Sequence, residues 1–327
     1  MGLANISQNQ SISESQRLWM ALQDYLESIK NLRPLTQQGY RQRLEVFYAW
    51  ASEHEITLSK INAKAVNLFV EHVRDTHKSH HVSKPQISSH TLAGYVRVIL
   101  AFLNWCIDSS DYEQFVDPNV IHRIKLPKTE KTVIAIFTKS DLQALFAATE
   151  KEFDEHLRVR DRAMLYLLID TGIRANELVT LTIEHTHLDP GDPYIKILGK
   201  GSKWREVGLG VQTREALETY VKTYRKVVEL SDPLFLNRYH EPLTVFGLEN
   251  LVRRLGKWAG IKGVRCSPHT MRHTYACNYL MQGIGDIFKL SLLMGHEDIE
   301  TTRIYLRTVQ SRQARQGKSV LDEIGVE

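Results

Sequence analysis

"LLMGHEDIETTRIYLR", residues 292–307, places a Gly-His turn at 295–296 inside a helix-forming run and then a tyrosine at 305 between basic residues. Taken alone, Tyr305 reads as an ordinary core aromatic, because a large ring on a helix is usually buried for its area. Whether it is also a chemical group depends on the rest of the chain.

At 327 residues the chain is long enough for two domains with a sizeable core. Its apolar share of 43% and charged share of 24% are those of a soluble globular protein. Nothing reads as a membrane span, and "MGLANISQNQSISE" at 1–14 is a polar tail without the apolar centre of a signal peptide. Cys106, Cys266 and Cys277 are too few and too scattered for a disulfide frame or a cysteine-rich zinc site, which points to a reducing cytoplasm. The net charge of +4 hints at a polyanionic partner without demanding one. Basic residues cluster in "KILGKGSKWR" at 196–205 and again at 303–318, where Arg303, Arg307, Arg312, Arg315 and Lys318 meet no acid. Such runs are often no more than solvated faces.

The first hundred or so residues read as helices. "TQQGYRQRLEVFYAW" opens at Thr36, a good N-cap, and sets Tyr40, Leu44, Phe47 and Trp50 on one face. "SSHTLAGYVRVILAFLNWCI" does the same with Leu92, Tyr95, Ile99, Leu103 and Cys106. The polar stretch "THKSHHVSKPQ" between them, broken at Pro85, is a loop. Residues 15–125 thus form a small helical bundle suited to binding, 126–137 an extended linker, and 138–327 a second domain with a C-terminal tail. That domain opens at Thr138, with Asp141 in a capping pattern. An apolar helix stops at Gly172, and "YIKILGKGSKWREVGLG" alternates and turns on glycines as a β-hairpin does. The expected fold is mainly α with a small antiparallel sheet in the C-terminal domain.

Three further places carry candidate chemistry. "TGIRANEL" puts Arg174 just past a glycine turn at a helix start, with Glu177 three residues on; alone this is an ordinary Arg–Glu helix pair. In "SPHTMRH", Ser267 is an N-cap and Pro268 the first helical residue, so His269 and Arg272 share one face. "GKGSK" holds Lys200 in the hairpin tip, where a solvated lysine is the default. Together these side chains suit phosphate chemistry. Two arginines can fork onto the nonbridging oxygens of one phosphodiester and offset charge in a pentacoordinate transition state. A free phenol with a pKa near 10 is ionised in only about one molecule in a thousand at pH 7, a deficit of about 4 kcal/mol. Neighbouring cations and a histidine able to accept a proton reduce that deficit. No metal or other cofactor is needed. His269 and His273 stand i, i+4, yet Arg272 between them would sit awkwardly beside a bound cation, so His273 reads as a structural residue or one that supports the site from behind. "GKS" at 317–319 ends like an ATP-binding loop, but Arg312 occupies the position of its first glycine.

Taken in order, "TGIRANEL", "GKGSK", "SPHTMRH" and "LLMGHEDIETTRIY" resemble the tyrosine recombinases, the integrase and Xer-type family of site-specific DNA recombinases. The helical first half resembles that family's core-DNA-binding domain. The resemblance implies a two-domain, C-shaped clamp on duplex DNA and a nucleophilic Tyr305 that leaves a 3′-phosphotyrosyl link and a free 5′-hydroxyl. It implies Arg174 and Arg272 as the phosphate clamp, Lys200 (with Lys203 as the alternative) as general acid, His269 in proton transfer, His296 bonding the phosphate, and Glu177 in support. Gln37, Arg41, His90, Thr91, Arg97, Lys203 and Arg205 are candidate DNA contacts by polar position, and ordinary solvent exposure explains each equally well. The partners implied are double-stranded recombination sites, three further copies in a tetramer on DNA (a monomer when free) and accessory proteins, in the cytoplasm at the nucleoid. Val320, Leu321 and Ile324 would dock on a neighbouring protomer or fold back locally. The short, non-basic opening favours a Xer-like or mobile-element recombinase over an integrase with an arm-binding domain. Two alternatives share much of this pattern: a type IB topoisomerase and a DNA-binding regulator that has lost the reaction.

Overall fold

The computed structural model describes residues 13–76, 87–129, 133–199, 203–226, 229–283 and 286–316. The chain divides into two compact units, Met1–Lys131 and Thr132–Glu327.

The first unit is helical: α1 (Glu14–Ser28), α2 (Pro34–Glu53), α3 (Ala63–Thr76), α4 (Ser89–Asp108) and the short α5 (Pro118–Ile121). Ser13 and Gln16 form a reciprocal capping box that opens α1, so Ser13 and Glu14, expected in the tail, start the fold instead. The rest of that tail lies outside the described residues, as does nearly all of the loop expected at 76–86. Helix α2 begins two residues ahead of Thr36, with Pro34 in its first turn, because a proline there sacrifices no hydrogen bond. Helix α4 is the centre of the unit. It is long and apolar enough by length and composition to cross a membrane, but half of it is buried against the other helices. Buried Leu92, Val96, Ile99, Phe102 and Leu103 meet Leu22, Phe47, Trp50 and Phe69 from α1, α2 and α3.

The second unit runs α6 (Lys139–Thr149), α7 (Glu155–Thr171), α8 (Ala175–Val179), β1 (Thr186–His187), β2 (Tyr194–Leu198), β3 (Trp204–Gly208), α9 (Val211–Thr223), α10 (Val245–Trp258), α11 (Pro268–Met281), α12 (Ile287–Met294) and α13 (Glu300–Gln316). Ile136 and Phe137, at the end of the expected linker, are buried in this unit's core. The three strands form one antiparallel sheet in the order β1-β2-β3. Ile195 pairs with Val207 and Ile197 with Arg205. Side chains alternate along a strand, so buried Ile195, Ile197 and Val207 bring Arg205 onto the inward face with them.

Two glycine turns set up everything that follows. Gly172 ends α7 in the left-handed conformation, and a Cβ there would lie 2.2 Å from the Tyr275 ring of α11. Glycine therefore lets α7 close onto α11. Gly295 ends α12 the same way, and a Cβ there would meet the Arg205 guanidinium at 2.8 Å.

Candidate active site

The corner after Gly172 places Arg174 at the N-cap of α8. Its backbone N–H donates to Glu177 Oε2 (2.8 Å) and its Nη1 to Glu177 Oε1 (2.9 Å). This is no surface pair. The Glu177 side chain is 5% exposed and also receives a two-pronged bond from Arg205, Nη1 to Oε1 at 2.9 Å and Nη2 to Oε2 at 2.8 Å. Burial pushes the Glu177 carboxyl up, but bonds from Arg205 and the Arg174 backbone, with both guanidinium charges, outweigh it and hold the carboxyl below its usual value.

Helix α11 begins as expected, with Ser267 capping Thr270 N–H and Pro268 in the first turn. Arg272, buried one turn in, donates from Nη1 to Gly172 O (2.7 Å) and from Nη2 to Met294 O (2.6 Å) and His296 Nε2 (2.9 Å). Every one of these acceptors is neutral. Burial and the nearby Arg174 charge pull Arg272 down to about 10, so it stays protonated at neutral pH. Arg174 and Arg205 both pair with the carboxylate of Glu177. Among the described residues Arg272 makes no ion pair, so its positive charge faces neutral groups.

The turn at Gly295 brings in the remaining groups. Because His296 Nε2 accepts from Arg272, its proton is on Nδ1, which donates to Thr302 Oγ1 at 2.7 Å. Burial and the surrounding arginines hold His296 neutral, down to about 4. His269 and His273 share a hydrogen bond between their Nε2 atoms (2.9 Å). Burial first lowers both; the Arg272 and Arg265 charges add to it at His269, and the His269 imidazole, Arg272 and His296 add to it at His273, which falls to about 4. Tyr305 on α13 sits between these histidines: its centroid is 5.0 Å from His273, edge-on, and 6.2 Å from His296, nearly parallel. It is only 2% exposed and packs with Ile136, Cys277, Met294 and Val309. Burial raises its phenol, against the pull of the Arg272 charge. Tyr305 is thus both a core aromatic and a neighbour of the cations.

Six predicted residues, Arg174, Glu177, His269, Arg272, His296 and Tyr305, therefore converge within one unit. Lys200 lies outside the described residues, as do Val320, Leu321 and Ile324. Lys203 is exposed and closes the hairpin by accepting Gly199 N–H on its carbonyl. Arg205 does not point outward: its fork grips Glu177, which removes it from the candidate DNA contacts. Gln37 turns its amide onto Lys30 O and Leu32 O, and Thr91 shares a hydroxyl bond with Ser88, so both have roles within their own unit. Arg41, His90 and Arg97 are exposed. Sequence reasoning missed Thr302 and the Arg205–Glu177 pair. It left His273 as either structural or supporting the site, and its ring lies against Tyr305. Among the described residues no group of three or more His, Cys, Asp or Glu side chains is placed to hold a metal.

Comparison with known proteins bears on this arrangement. Residues 135–312 match the model of the phage integrase family, and residues 21–84 match the phage integrase N-terminal SAM-like domain. Tyrosine recombinase XerD of Pseudomonas aeruginosa is 31% identical over 286 residues, covering 86% of this chain and 90% of that protein. The XerD of Staphylococcus aureus strain Mu50 is 28% identical over 298 residues, 89% of this chain and 95% of that one. The fold is also that of XerH site-specific recombinase in a post-cleavage complex with palindromic difH substrate (TM-score 0.71, 22% identity, 94% of this chain and 85% of that one). A lambda integrase dimer bound to a COC′ core site is likewise similar (TM-score 0.67, 15% identity, 90% and 78%). With both halves matched, and with the arginines, histidines and tyrosine of the motifs gathered around one cationic pocket, this chain belongs to the phage integrase family, the tyrosine recombinases.

Proposed function

We propose that the chain is a site-specific DNA recombinase in which Tyr305 attacks a scissile phosphate. Its phenolic oxygen forms the new bond to phosphorus while the bond to the 5′-oxygen breaks, leaving a 3′-phosphotyrosyl link and a free 5′-hydroxyl. The observation that carries this is Arg272, whose described partners are all neutral, set with Arg174 beside a phenol. Neutral carbonyls and an imidazole occupy the Arg272 donors, and a phosphate oxygen is a stronger acceptor for them. His269, held neutral, takes the phenolic proton; His296, fixed by Thr302, bonds the phosphate; Lys200 protonates the departing oxygen. A covalent phosphotyrosine keeps the energy of the broken bond, so rejoining needs no nucleotide cofactor. A phenol only 2% exposed cannot reach a duplex, so α13 must shift before attack.

The partners proposed are double-stranded recombination sites, three further copies of this chain on paired sites and accessory proteins, in the cytoplasm at the nucleoid. XerH and lambda integrase were both captured on such DNA. A Xer-like or mobile-element role fits the likeness to XerD across both halves. The test uses a plasmid carrying two copies of a duplex selected for binding from a random pool. Recombinant junctions support the proposal. Relaxation of supercoils without exchange indicates a topoisomerase, and binding without any nicking indicates a regulator.

A further inference from the structure

Arg205 was a candidate for touching DNA, yet its guanidinium is held inside the pocket. Nη1 and Nη2 fork onto Glu177, and Nε donates to Leu293 O at 3.1 Å. That third bond belongs to a wider pattern. Leu293, Met294 and Gly295 are consecutive carbonyls at the end of α12, where a helix leaves acceptors unpaired and carries partial negative charge. They receive Arg205, Arg272 and Arg174 in that order, at 3.1, 2.6 and 2.9 Å. One turn thus anchors three arginines and leads directly into His296 and the Tyr305 helix. A phosphate would compete for the donors of Arg174, whose side chain is 36% exposed, and for those of Arg272. Arg205 is 14% exposed, committed to a carboxylate, and packed so closely under Gly295 that a Cβ there would lie 2.8 Å from it.

We propose that Arg205 is a positioning residue for strand cleavage: it keeps Glu177 and the Leu293–His296 turn in register while Arg174 and Arg272 turn their donors to the DNA phosphate. This rests on Tyr305 being the nucleophile. β3 is thereby the strut that joins the hairpin to the catalytic turn, and the inward register of Arg205 opposite Ile197 is what allows it.

The test compares full-length wild type, Arg205→Ala, Arg205→Lys, Glu177→Gln and the Arg205→Ala/Glu177→Gln double variant on a nicked duplex that traps the covalent adduct. Thermal melting checks folding, and Arg205→Lys, which keeps charge and bulk, serves if the alanine variant does not fold. Misplacement of a clamp by about an ångström costs roughly a hundredfold in rate, so Arg205→Ala should slow single-turnover cleavage about that much, and Arg205→Lys less. Affinity and its salt slope should not change, because no phosphate contact is lost. Arg205 supplies both a bond and a charge that hold the Glu177 carboxyl down, so without it the carboxyl moves up and the variant's rate should fall on the acid side at a higher pH than the wild type's. Adding Glu177→Gln should abolish that titration and slow the double variant little beyond Arg205→Ala alone. Multiplicative losses, an unchanged pH profile, wild-type rates in a folded variant, or a salt slope reduced by about one would each overturn the proposal. Absence of adduct in the wild type would overturn the nucleophile assignment first, and this role with it.

Discussion

Thr302 is fully buried, and its hydroxyl accepts the Nδ1 proton of the His296 tautomer that Arg272 sets by donating to Nε2. Replacing it with valine removes the acceptor and keeps the shape, leaving a buried Nδ1–H unpaired at a cost of about 1–3 kcal/mol. Thr302→Val should therefore cut single-turnover cleavage by at least about fivefold without weakening DNA binding; an unchanged rate would separate Thr302 from the site. Gly172 is the harsher case. It combines a φ of +60° with a Cβ position 2.2 Å from Tyr275, and its carbonyl accepts from Arg272. Gly172→Ala should lower stability by about 2–4 kcal/mol, read from the urea midpoint, and slow cleavage as the clamp loses its seat. Wild-type stability would mean that α7 and α11 do not meet as described.

Among the elements, α11 and the α12–α13 turn carry a pH prediction. His273 and His296 are held near 4 in the fold by burial and neighbouring charge, well below an ordinary histidine near 6.5. As pH falls, the unfolded chain takes up protons before the folded one does. Their contribution to stability is full above about 6.5 and is lost progressively as pH falls toward 4. The melting temperature of the second unit should fall across that window, and His296→Gln should flatten the fall. The helices and turns were legible in the sequence wherever one residue type has a single local use. Gly172 as a left-handed stop, Ser267 and Thr138 as caps, and Pro268 in a first turn are of that kind. Thr36 misled because Pro34 could start α2 earlier. Arg205 misled for a deeper reason. Charge suggested an outward side chain, whereas the alternation of β3 with Val207 inward already set Arg205 inward, toward a carboxylate distant in sequence. Its partner lies across the fold and cannot be read from spacing. The alternation could have raised the question.

On the scale of the whole molecule, the modest net charge of +4 means that DNA affinity must come from local clusters of basic groups, and the proposed mechanism puts Arg174 and Arg272 among them. Binding should weaken steeply with salt, by a log–log slope of about −0.9 for each phosphate neutralised. Arg174→Ala should make that slope shallower by about one, while Glu177→Gln should not. A slope near zero for the wild type would exclude a phosphate-gripping mode. Tyr305 joins both scales, since it is part of the second unit's core and, in the proposed mechanism, must leave that packing to attack. The most direct measurement is peptide mapping of the covalent adduct trapped on a nicked duplex, with wild type and Tyr305→Phe side by side. The expected result is a DNA 3′-phosphate on the peptide containing Tyr305, and none from Tyr305→Phe although it binds the duplex equally well. An adduct on any other residue, or undiminished adduct from Tyr305→Phe, would contradict the assignment.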